Sequence, residues 1–310
     1  MNAFFQLPKI NYNSQDYLVS LNGIIMNASD AKVSIMDRGF LFGDSVYDVF
    51  FCYKKMPVFF YEHIDRLYQS AERIDLPMNF QRHQLIASIK DLVSKNPFEE
   101  SFMRIVVSRG EYEMGLTPQS YADVQNTIVL YLKNFQMPSE WIRNGVDFKI
   151  SSFERNSKKA MDPMNKTGNY LNSQLALNEA KKENYHDAIM LNAKGEITEG
   201  TTNNFWIVQK NGNVVTPDLK SGLLRGITRE KIFEIAKGLN ISISEKILYP
   251  SDIESASESF YTSATKGIVP ITKINHLPIG NGKPGEITMR LKKGYDELVQ
   301  DYIRSFSWND

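Results

Sequence analysis

The chain is poor in cysteine, in unbalanced charge and in long apolar runs. Its single cysteine, Cys52, excludes an intrachain disulfide and a cysteine metal cluster. The 36 basic residues are matched by 36 acidic ones, so the overall charge favours neither nucleic acid nor an anionic membrane as a partner. No stretch approaches the roughly 20 apolar residues of a membrane span. Residues 1–15 lack the basic start and apolar core of a signal peptide. We therefore expect a cytoplasmic protein that binds neither membranes nor nucleic acid.

Several common catalytic motifs are also missing. The sequence has no HExxH motif, no glycine-rich phosphate loop and no serine nucleophile elbow. The four histidines do not have the spacing of metal ligands; they are His63, His83, His186 and His276. We therefore expect no metal site, and any recognition of an anion has to come from local groups.

What is present is enough apolar sequence for substantial cores. A chain of 310 residues with 42% hydrophobic and 12% aromatic residues suits two domains. The polar stretch around Pro138 interrupts the pattern, so we predict a small N-terminal domain over 1–136, a linker over 137–144 and a larger C-terminal domain over 145–310. Strands and helices alternate without strict βαβ order, which predicts an α+β fold.

Apolar periodicity predicts the individual elements. The predicted strands are 17–25, 45–53, 58–61, 102–108, 127–132, 146–152, 188–192, 204–209, 214–215 and 259–263. The predicted helices are one that carries Ile64, Leu67, Ala71 and Ile74, and then 84–93, 169–183, 228–239 and 288–306. Asn211-Gly212 predicts a hairpin turn between two of the strands.

Two segments could bind phosphate. Gly226 leads directly into a predicted helix, and the free amides and dipole at a helix N-terminus attract phosphate. An ordinary helix start capped by Thr228 explains the same pattern. The guanidinium of Arg66 also suits phosphate, although Glu62 stands four residues earlier and a solvated helix pair explains that arrangement equally well.

Lys166 and Glu199 are the two other candidates for chemistry. A lysine amine can form a Schiff base with an aldehyde cofactor when burial or nearby cations favour its neutral form. Most lysines, however, are solvated surface groups. Glu199 precedes a glycine and an apolar strand, and by itself it fits a turn carboxylate.

The segments that carry these four candidates, together with one earlier segment, form five ordered sequence blocks. They are 37–44 followed by Val46-Tyr47, then 63–71, then Lys166 with 168–173, then 198–200, and finally 226–229. In this order and spacing the chain, over roughly residues 22–270, resembles the fold-type-IV pyridoxal-phosphate enzymes. This family includes branched-chain transaminase, D-amino acid transaminase and aminodeoxychorismate lyase.

The resemblance implies how pyridoxal 5'-phosphate would be bound. Lys166 matches the lysine that holds the cofactor as a Schiff base and moves a proton during the reaction. Glu199 matches the carboxylate that faces the pyridine nitrogen and keeps it protonated. Arg66 and the amides of Ile227 and Thr228 match the groups that bind the phosphate.

Further cofactor contacts follow from the same resemblance. Tyr170 resembles a tyrosine near the phenolic oxygen of the cofactor, and Leu224, just before the Gly226 corner, matches a leucine that packs on its ring. The family's late phosphate-binding threonine falls on Ala264 here, so Ser263 or Thr265 is expected to replace it.

The substrate pocket is expected to include Tyr47, Phe50, Phe51 and Arg104. The strand after Tyr47 is closer to D-amino acid transaminase, whereas the block of Arg104 with 114–118 is closer to the branched-chain type. Our leading prediction is transfer of an amino group between a branched-chain or other apolar L-amino acid and a 2-oxo acid. The alternatives are a D-amino acid transaminase, an aminodeoxychorismate lyase, and a non-catalytic protein with the same fold. The resemblance also implies a homodimer.

Overall fold

The structure is a computed structural model that describes residues 18–116 and 125–308. Within these residues the strands form two sheets, one of six strands and one of nine, with helices packed on both. This confirms the predicted α+β class. Among the described helices, none is both long enough and apolar enough to cross a membrane.

The six-stranded sheet comes from the first part of the chain and is antiparallel throughout. Its order is β2-β1-β6-β5-β3-β4. The strands are β1 (Leu18–Leu21), β2 (Ile24–Asn27), β3 (Ser45–Tyr53), β4 (Met56–Pro57), β5 (Glu100–Ser108) and β6 (Thr127–Asn134). Side chains on a strand alternate between the two faces of the sheet, so β3 points Val46, Phe50 and Cys52 into one core.

Helices cover this core. Besides the short α1 (Arg38–Phe42), they are α2 (Phe60–Glu72) and α3 (Arg82–Lys95). The apolar stripe of α2 includes Ile64, Leu67 and Ala71, all of them buried, as the spacing predicted.

The nine-stranded sheet is mixed and comes from the second part of the chain. Its main path is β12-β11-β10-β13-β14-β7-β8-β9, and β15 pairs with β14. The strands are β7 (Val146–Ile150), β8 (Asp187–Leu191), β9 (Ile197–Gly200), β10 (Asn204–Gln209), β11 (Val214–Pro217), β12 (Ile243–Lys246), β13 (Ala256–Ser263), β14 (Gly267–Ile274) and β15 (Leu277–Pro278). The predicted Asn211-Gly212 hairpin joins β10 to β11, with Gly212 at φ +82°.

The helices of this part are α4 (Ser139–Asn144), α5 (Lys158–Met161), α6 (Leu171–Lys182), α7 (Ile227–Gly238), α8 (Pro250–Glu254) and α9 (Glu286–Ser305). A core between this sheet and the helices α7 and α9 includes Trp206, Phe260, Ile232 and Leu291. Helices α6 and α7 matter most for function, because the segments just before them carry candidate residues.

Two predicted strands differ from the structure. Residues 17–25 were predicted as one strand, but Asn22 and Gly23 have positive φ values and form a turn between β1 and β2. Residues 58–61 were predicted as a strand and instead lead into α2, with Phe59 in the left-handed region at φ +51°. An apolar run this short suits a strand and a buried helix start equally well.

The stretch predicted as a linker, 137–144, contains α4. Its residues Trp141 and Ile142 pack against the core of the nine-stranded sheet. The domain limits at 136 and 145 stay a prediction.

Candidate active site

All predicted site residues except Phe50 and Phe51 line one cavity of about 510 Å³. They are Tyr47, Arg66, Arg104, Lys166, Tyr170, Glu199, Leu224, Gly226, Ile227, Thr228, Ser263 and Thr265. Some of them come from the first part of the chain, on β3, α2 and β5. The others come from the second part, in the segment before α6, at the end of β9, at the start of α7 and in the turn between β13 and β14. Residues more than 200 positions apart in sequence therefore face the same space.

The backbone of Lys166 is fixed beside β3. The amide of Tyr47 donates to the carbonyl oxygen of Lys166 at 2.9 Å, and the amide of Lys166 donates to Ser70 Oγ at 3.2 Å. The Lys166 Nζ atom donates to the Tyr47 hydroxyl at 3.1 Å. Burial lowers the pKa of the Lys166 amine below its ordinary value, and the Arg66 guanidinium lowers it further. A larger neutral fraction is what an amine needs to condense with an aldehyde.

Two tyrosines lie beside this amine. The rings of Tyr47 and Tyr170 pack edge to face with their centroids 5.5 Å apart, and the Arg104 guanidinium lies 4.3 Å from the centroid of the Tyr47 ring. Burial raises the pKa of Tyr47 to about 12 and also raises the pKa of Tyr170. Both phenols therefore remain protonated at neutral pH and can donate a hydrogen bond.

Glu199 is buried in β9 rather than exposed in a turn. Arg155 Nε donates to its carboxylate at 3.0 Å, the Leu224 amide at 3.1 Å and Asn204 Nδ2 at 3.4 Å. These contacts hold a carboxylate in place at the cavity wall. We did not predict Arg155 or Asn204 as site residues. Their sequence environment, a loop and the start of an apolar strand, gives no periodic signal for them.

The ion-pair partner of Arg66 is Asp48. It is not Glu62, the residue four positions earlier that the helix spacing suggested. Its Nε and one terminal nitrogen donate to the two Asp48 oxygens, each at 2.8 Å, while Glu62 pairs with Lys231 at 3.3 Å. Burial alone would raise the pKa of Asp48, but the Arg66 guanidinium, together with His63, holds it well below its ordinary value. Asp48 therefore fixes an arginine that lines the cavity.

The start of α7 also faces the cavity. Its N-cap is Gly226, and no side chain caps the helix. Thr228 is therefore not the N-cap, as it would be if this were an ordinary capped helix start. The first amides of this twelve-residue helix are available to an anion. A Cβ atom on Gly226 would overlap Asn204 Oδ1, so a larger residue does not fit this corner.

The turn between β13 and β14 adds a hydroxyl. Ser263 Oγ is buried in the cavity wall and has no hydrogen-bond partner within residues 18–116 and 125–308. A guanidinium, a helix N-terminus and an unpartnered hydroxyl form a donor set that suits a phosphate ester. With the buried amine of Lys166 and the carboxylate of Glu199 in the same cavity, the residues present fit pyridoxal 5'-phosphate.

Phe50 and Phe51, which were expected in the substrate pocket, do not line this cavity. Tyr47 faces the cavity, so alternation along β3 sends Phe50 to the opposite face, where its ring packs 5.7 Å from that of Phe60. Phe51 packs against Phe135, with the ring centroids 6.4 Å apart, and does not line the cavity.

Other apolar residues take their place at the cavity wall. They are Val49, Phe102, Phe135, Met161 and Leu177. The block of Arg104 with 114–118, used to compare substrate types, lies only partly within the described residues, because 117–124 are outside them.

Comparison with known proteins identifies the family. The family described as amino-transferase class IV matches residues 45–274. The branched-chain-amino-acid aminotransferase of Escherichia coli K12 is 30% identical over 285 residues, which cover 90% of this chain and 92% of that protein. The D-alanine aminotransferase of Staphylococcus aureus N315 is also 30% identical over 285 residues, covering 92% and 98%. The chain belongs to the class IV family of pyridoxal-phosphate-dependent aminotransferases.

Solved structures agree with this assignment. The crystal structure of the Escherichia coli branched-chain amino acid aminotransferase matches with a TM-score of 0.86 at 28% identity, covering 92% of this chain and 95% of that one. The branched-chain amino acid aminotransferase from Thermobaculum terrenum, solved in its PLP form, matches with a TM-score of 0.80 at 25% identity, covering 93% and 95%. The fold is therefore that of the fold-type-IV aminotransferases, as the sequence blocks indicated.

Proposed function

We propose that this protein binds pyridoxal 5'-phosphate through Lys166 and transfers an amino group between an apolar L-amino acid and a 2-oxo acid. The observation that carries the proposal is the convergence of the buried Lys166 amine, the Glu199 carboxylate and the start of α7 on one cavity. When bound, the cofactor draws electrons away from the bond that is broken at the α-carbon of the substrate.

The side chains then have separate tasks. Lys166 Nζ holds and moves the proton at the α-carbon, and its lowered pKa leaves it able to accept one. Glu199 would hold the proton on the pyridine nitrogen of the cofactor. Arg66, Ser263 and the amides of Ile227 and Thr228 bind the phosphate. Fixing the cofactor at both ends orients the reacting bond.

The cavity wall supports a substrate with an apolar side chain. Val49, Phe102 and Phe135 line it, and burial of an aliphatic side chain against such residues is favourable by about 25 cal/mol per Å² of apolar surface. Arg104 supplies a positive charge in the same cavity, which suits a carboxylate. The similarity to branched-chain enzymes supports the same substrate class.

A D-amino acid substrate is the second candidate. It is supported by the D-alanine aminotransferase of Staphylococcus aureus, which matches this chain at the same identity as the branched-chain enzyme. A panel of L- and D-amino acids, assayed for 2-oxo acid with and without an acceptor, separates the two hands. The same panel separates amino transfer from elimination.

The cofactor test comes before the substrate panel. Purified protein reconstituted with pyridoxal 5'-phosphate should show an absorbance band that bleaches when a suitable amino acid is added. Borohydride reduction followed by peptide mass spectrometry should find the added mass on Lys166. Lys166→Ala should lose both signals, whereas Lys159→Ala, on exposed α5, should keep them. Cofactor mass on another lysine, or none at all, would contradict the proposal.

We further propose a homodimer in the cytoplasm. Large apolar side chains are exposed in the single chain, among them Met114, Leu116 and Leu171. Exposed apolar patches of this kind mark association surfaces.

A further inference from the structure

Arg155 is the ion-pair partner of Glu199. Its Nε and one terminal nitrogen both lie 3.0 Å from the same carboxylate oxygen, Oε1. The second oxygen, Oε2, accepts from the Leu224 amide at 3.1 Å and from Asn204 Nδ2 at 3.4 Å, and both of these donors are neutral. The two side chains of the ion pair are largely buried, with 16% of Arg155 and 7% of Glu199 exposed. The positive charge in contact with this carboxylate therefore comes from Arg155.

Further contacts hold Arg155 in this position. Its backbone amide donates to the carbonyl oxygen of Leu191 at 2.8 Å, and its other terminal nitrogen donates to Asn172 Oδ1 at 3.3 Å. Asn172 is the second residue of α6, and its Nδ2 atom donates to the carbonyl oxygen of Glu154 at 2.7 Å. Strand β8 and helix α6 together therefore fix the guanidinium beside Glu199.

Among residues 18–116 and 125–308, Arg155 alone forms an ion pair with Glu199. The charges of Lys166 and Glu199 also act on each other across the cavity, but Lys166 Nζ donates to the Tyr47 hydroxyl and burial lowers the pKa of this amine. An arginine side chain, by contrast, stays protonated in proteins. Arg155 is therefore a permanent positive charge, whereas the charge of Lys166 changes with its protonation.

A permanent charge beside a carboxylate affects where a proton is held. A buried acid and a pyridine nitrogen in hydrogen-bond contact share one proton, and burial alone favours the neutral pair, in which the acid keeps it. A guanidinium that touches the carboxylate attracts this negative charge more strongly than it repels a more distant positive one. It therefore favours the charged pair, in which the O–H bond of the acid is broken and an N–H bond to the ring is formed. The pair as a whole neither gains nor loses a proton.

We propose that Arg155 is a positioning residue that, through Glu199, places the shared proton on the ring nitrogen of the cofactor. The inference rests on the proposed function, since it concerns pyridoxal 5'-phosphate in the same cavity. It also adds a condition to that function, because a buried Glu199 without its counter-charge would keep the proton itself. A protonated ring draws electrons from the reacting bond more strongly than a neutral ring does.

The position of the proton can be measured without turnover. Pyridoxal 5'-phosphate labelled with nitrogen-15 in the ring is bound to the apoprotein, and the chemical shift of this nitrogen distinguishes a protonated ring from a neutral one. In the wild type at neutral pH we expect the shift of a protonated ring. In Arg155→Met we expect the shift of a neutral ring that accepts a hydrogen bond. Glu199→Gln provides the reference for a ring without an acid beside it.

Two further variants separate the charge of Arg155 from its hydrogen bonds. Arg155→Gln keeps a donor without the charge and should also give a neutral ring, whereas Arg155→Lys keeps the charge and should give a protonated one. The matched control is Arg143→Met, an exposed arginine on α4 that does not line the cavity, which should give the wild-type shift. Because the neutral pair retains its hydrogen bond, we expect the Kd for pyridoxal 5'-phosphate to rise by less than about tenfold in both neutral variants.

A protonated ring in both neutral variants would overturn the inference, and so would a neutral ring in the wild type. Thermal melting of the apoprotein checks that each variant folds. Loss of cofactor binding by neutral variants that do fold would also contradict the inference, because it would give Arg155 a purely structural role. Failure of the proposed function is distinguishable, since it leaves no cofactor on Lys166 of the wild type, whereas failure of this inference leaves the cofactor bound.

Discussion

The hydroxyl of Tyr47 receives the hydrogen bond from Lys166 Nζ at 3.1 Å, so it controls where that nitrogen points. Tyr47→Phe keeps the ring and removes only the hydroxyl. We predict that kcat falls by up to about tenfold, since a hydrogen bond between neutral groups contributes about 0.5–1.5 kcal/mol and only the part that is specific to the transition state affects kcat. Steady-state kinetics with saturating cofactor measure this. Tyr53→Phe, on the same strand, should have wild-type kcat; equal values for both variants would remove Tyr47 from this role.

Asp48 should make stability depend on pH in the acid range. The Arg66 ion pair outweighs burial and depresses the folded-state pKa of Asp48, so its contribution is present above the unfolded value of about 3.9 and is lost as pH falls below it. Asp48→Asn removes the charge but leaves Arg66 without its partner, which costs about 3 kcal/mol at pH 7.

The measurement is the melting temperature of the apoprotein from pH 7 down to pH 3. We expect the gap between the wild type and Asp48→Asn to be largest at pH 7 and to narrow below about pH 4. Asp65→Asn, which removes an exposed partner of Arg82, should stay close to the wild type throughout. A gap that is constant with pH would show that the ion pair is not its source.

Single residues differ in how far sequence could identify them. Asp48 had a usable signal, because it falls on the buried face of β3 between Val46 and Phe50, where a charge needs a partner. Asn204 had none. An asparagine that opens a strand is ordinary, and only its contacts with Glu199 and the Leu224 carbonyl oxygen single it out.

At the scale of elements, the start of α7 is the most sensitive point. Gly226→Ala would place a Cβ atom in overlap with Asn204 Oδ1, and Asn204 also donates to the Leu224 carbonyl at 2.9 Å. We predict that this change displaces the corner and raises the Kd for pyridoxal 5'-phosphate at least tenfold, measured by absorbance titration.

The other end of the same helix provides the control. A Cβ atom on Gly238 meets nothing within 4 Å, and alanine favours helix by up to about 1 kcal/mol over glycine. Gly238→Ala should therefore keep the cofactor affinity and slightly raise the melting temperature. Equal cofactor affinity in the two variants would mean that the Gly226 corner is not part of the binding site.

Most elements could be predicted because their apolar periodicity is strong. The helices α3, α6, α7 and α9 follow the predicted ranges to within a few residues at each end, whereas α2 ends at Glu72, before the Ile74 that was predicted to lie on it. The start of α2 could not be predicted, since Val58, Phe59 and Phe60 form an unbroken apolar run without a capping residue. Apolar periodicity also did not predict the order of the strands in the sheets. Strand β7 lies between β14 and β8 and runs parallel to both. Its partner β14 lies more than 100 residues away in sequence, and periodicity does not encode such a pairing.

For the whole molecule, the exposed apolar surface predicts association. Phe40 is 67% exposed, and Met114 and Leu116 are each 77% exposed. Their two segments are linked, because Arg38, two residues before Phe40 in α1, donates to the carbonyl oxygens of Gly115 at 2.8 Å and Leu116 at 2.9 Å. We call these exposed side chains one patch. Burying such side chains against a second copy is favourable by about 1.5–3 kcal/mol each.

We therefore predict that the protein sediments as a dimer at micromolar concentration and that Phe40→Ser with Leu116→Ser shifts it towards the monomer. The control replaces two exposed apolar residues elsewhere, Ile247→Ser with Leu277→Ser, at 50% and 66% exposure. That variant should remain dimeric, since neither residue is in the patch. The net charge of zero means that repulsion between copies does not oppose association, so the patch alone should decide the outcome. If the patch variant sediments like the wild type, another surface forms the contact.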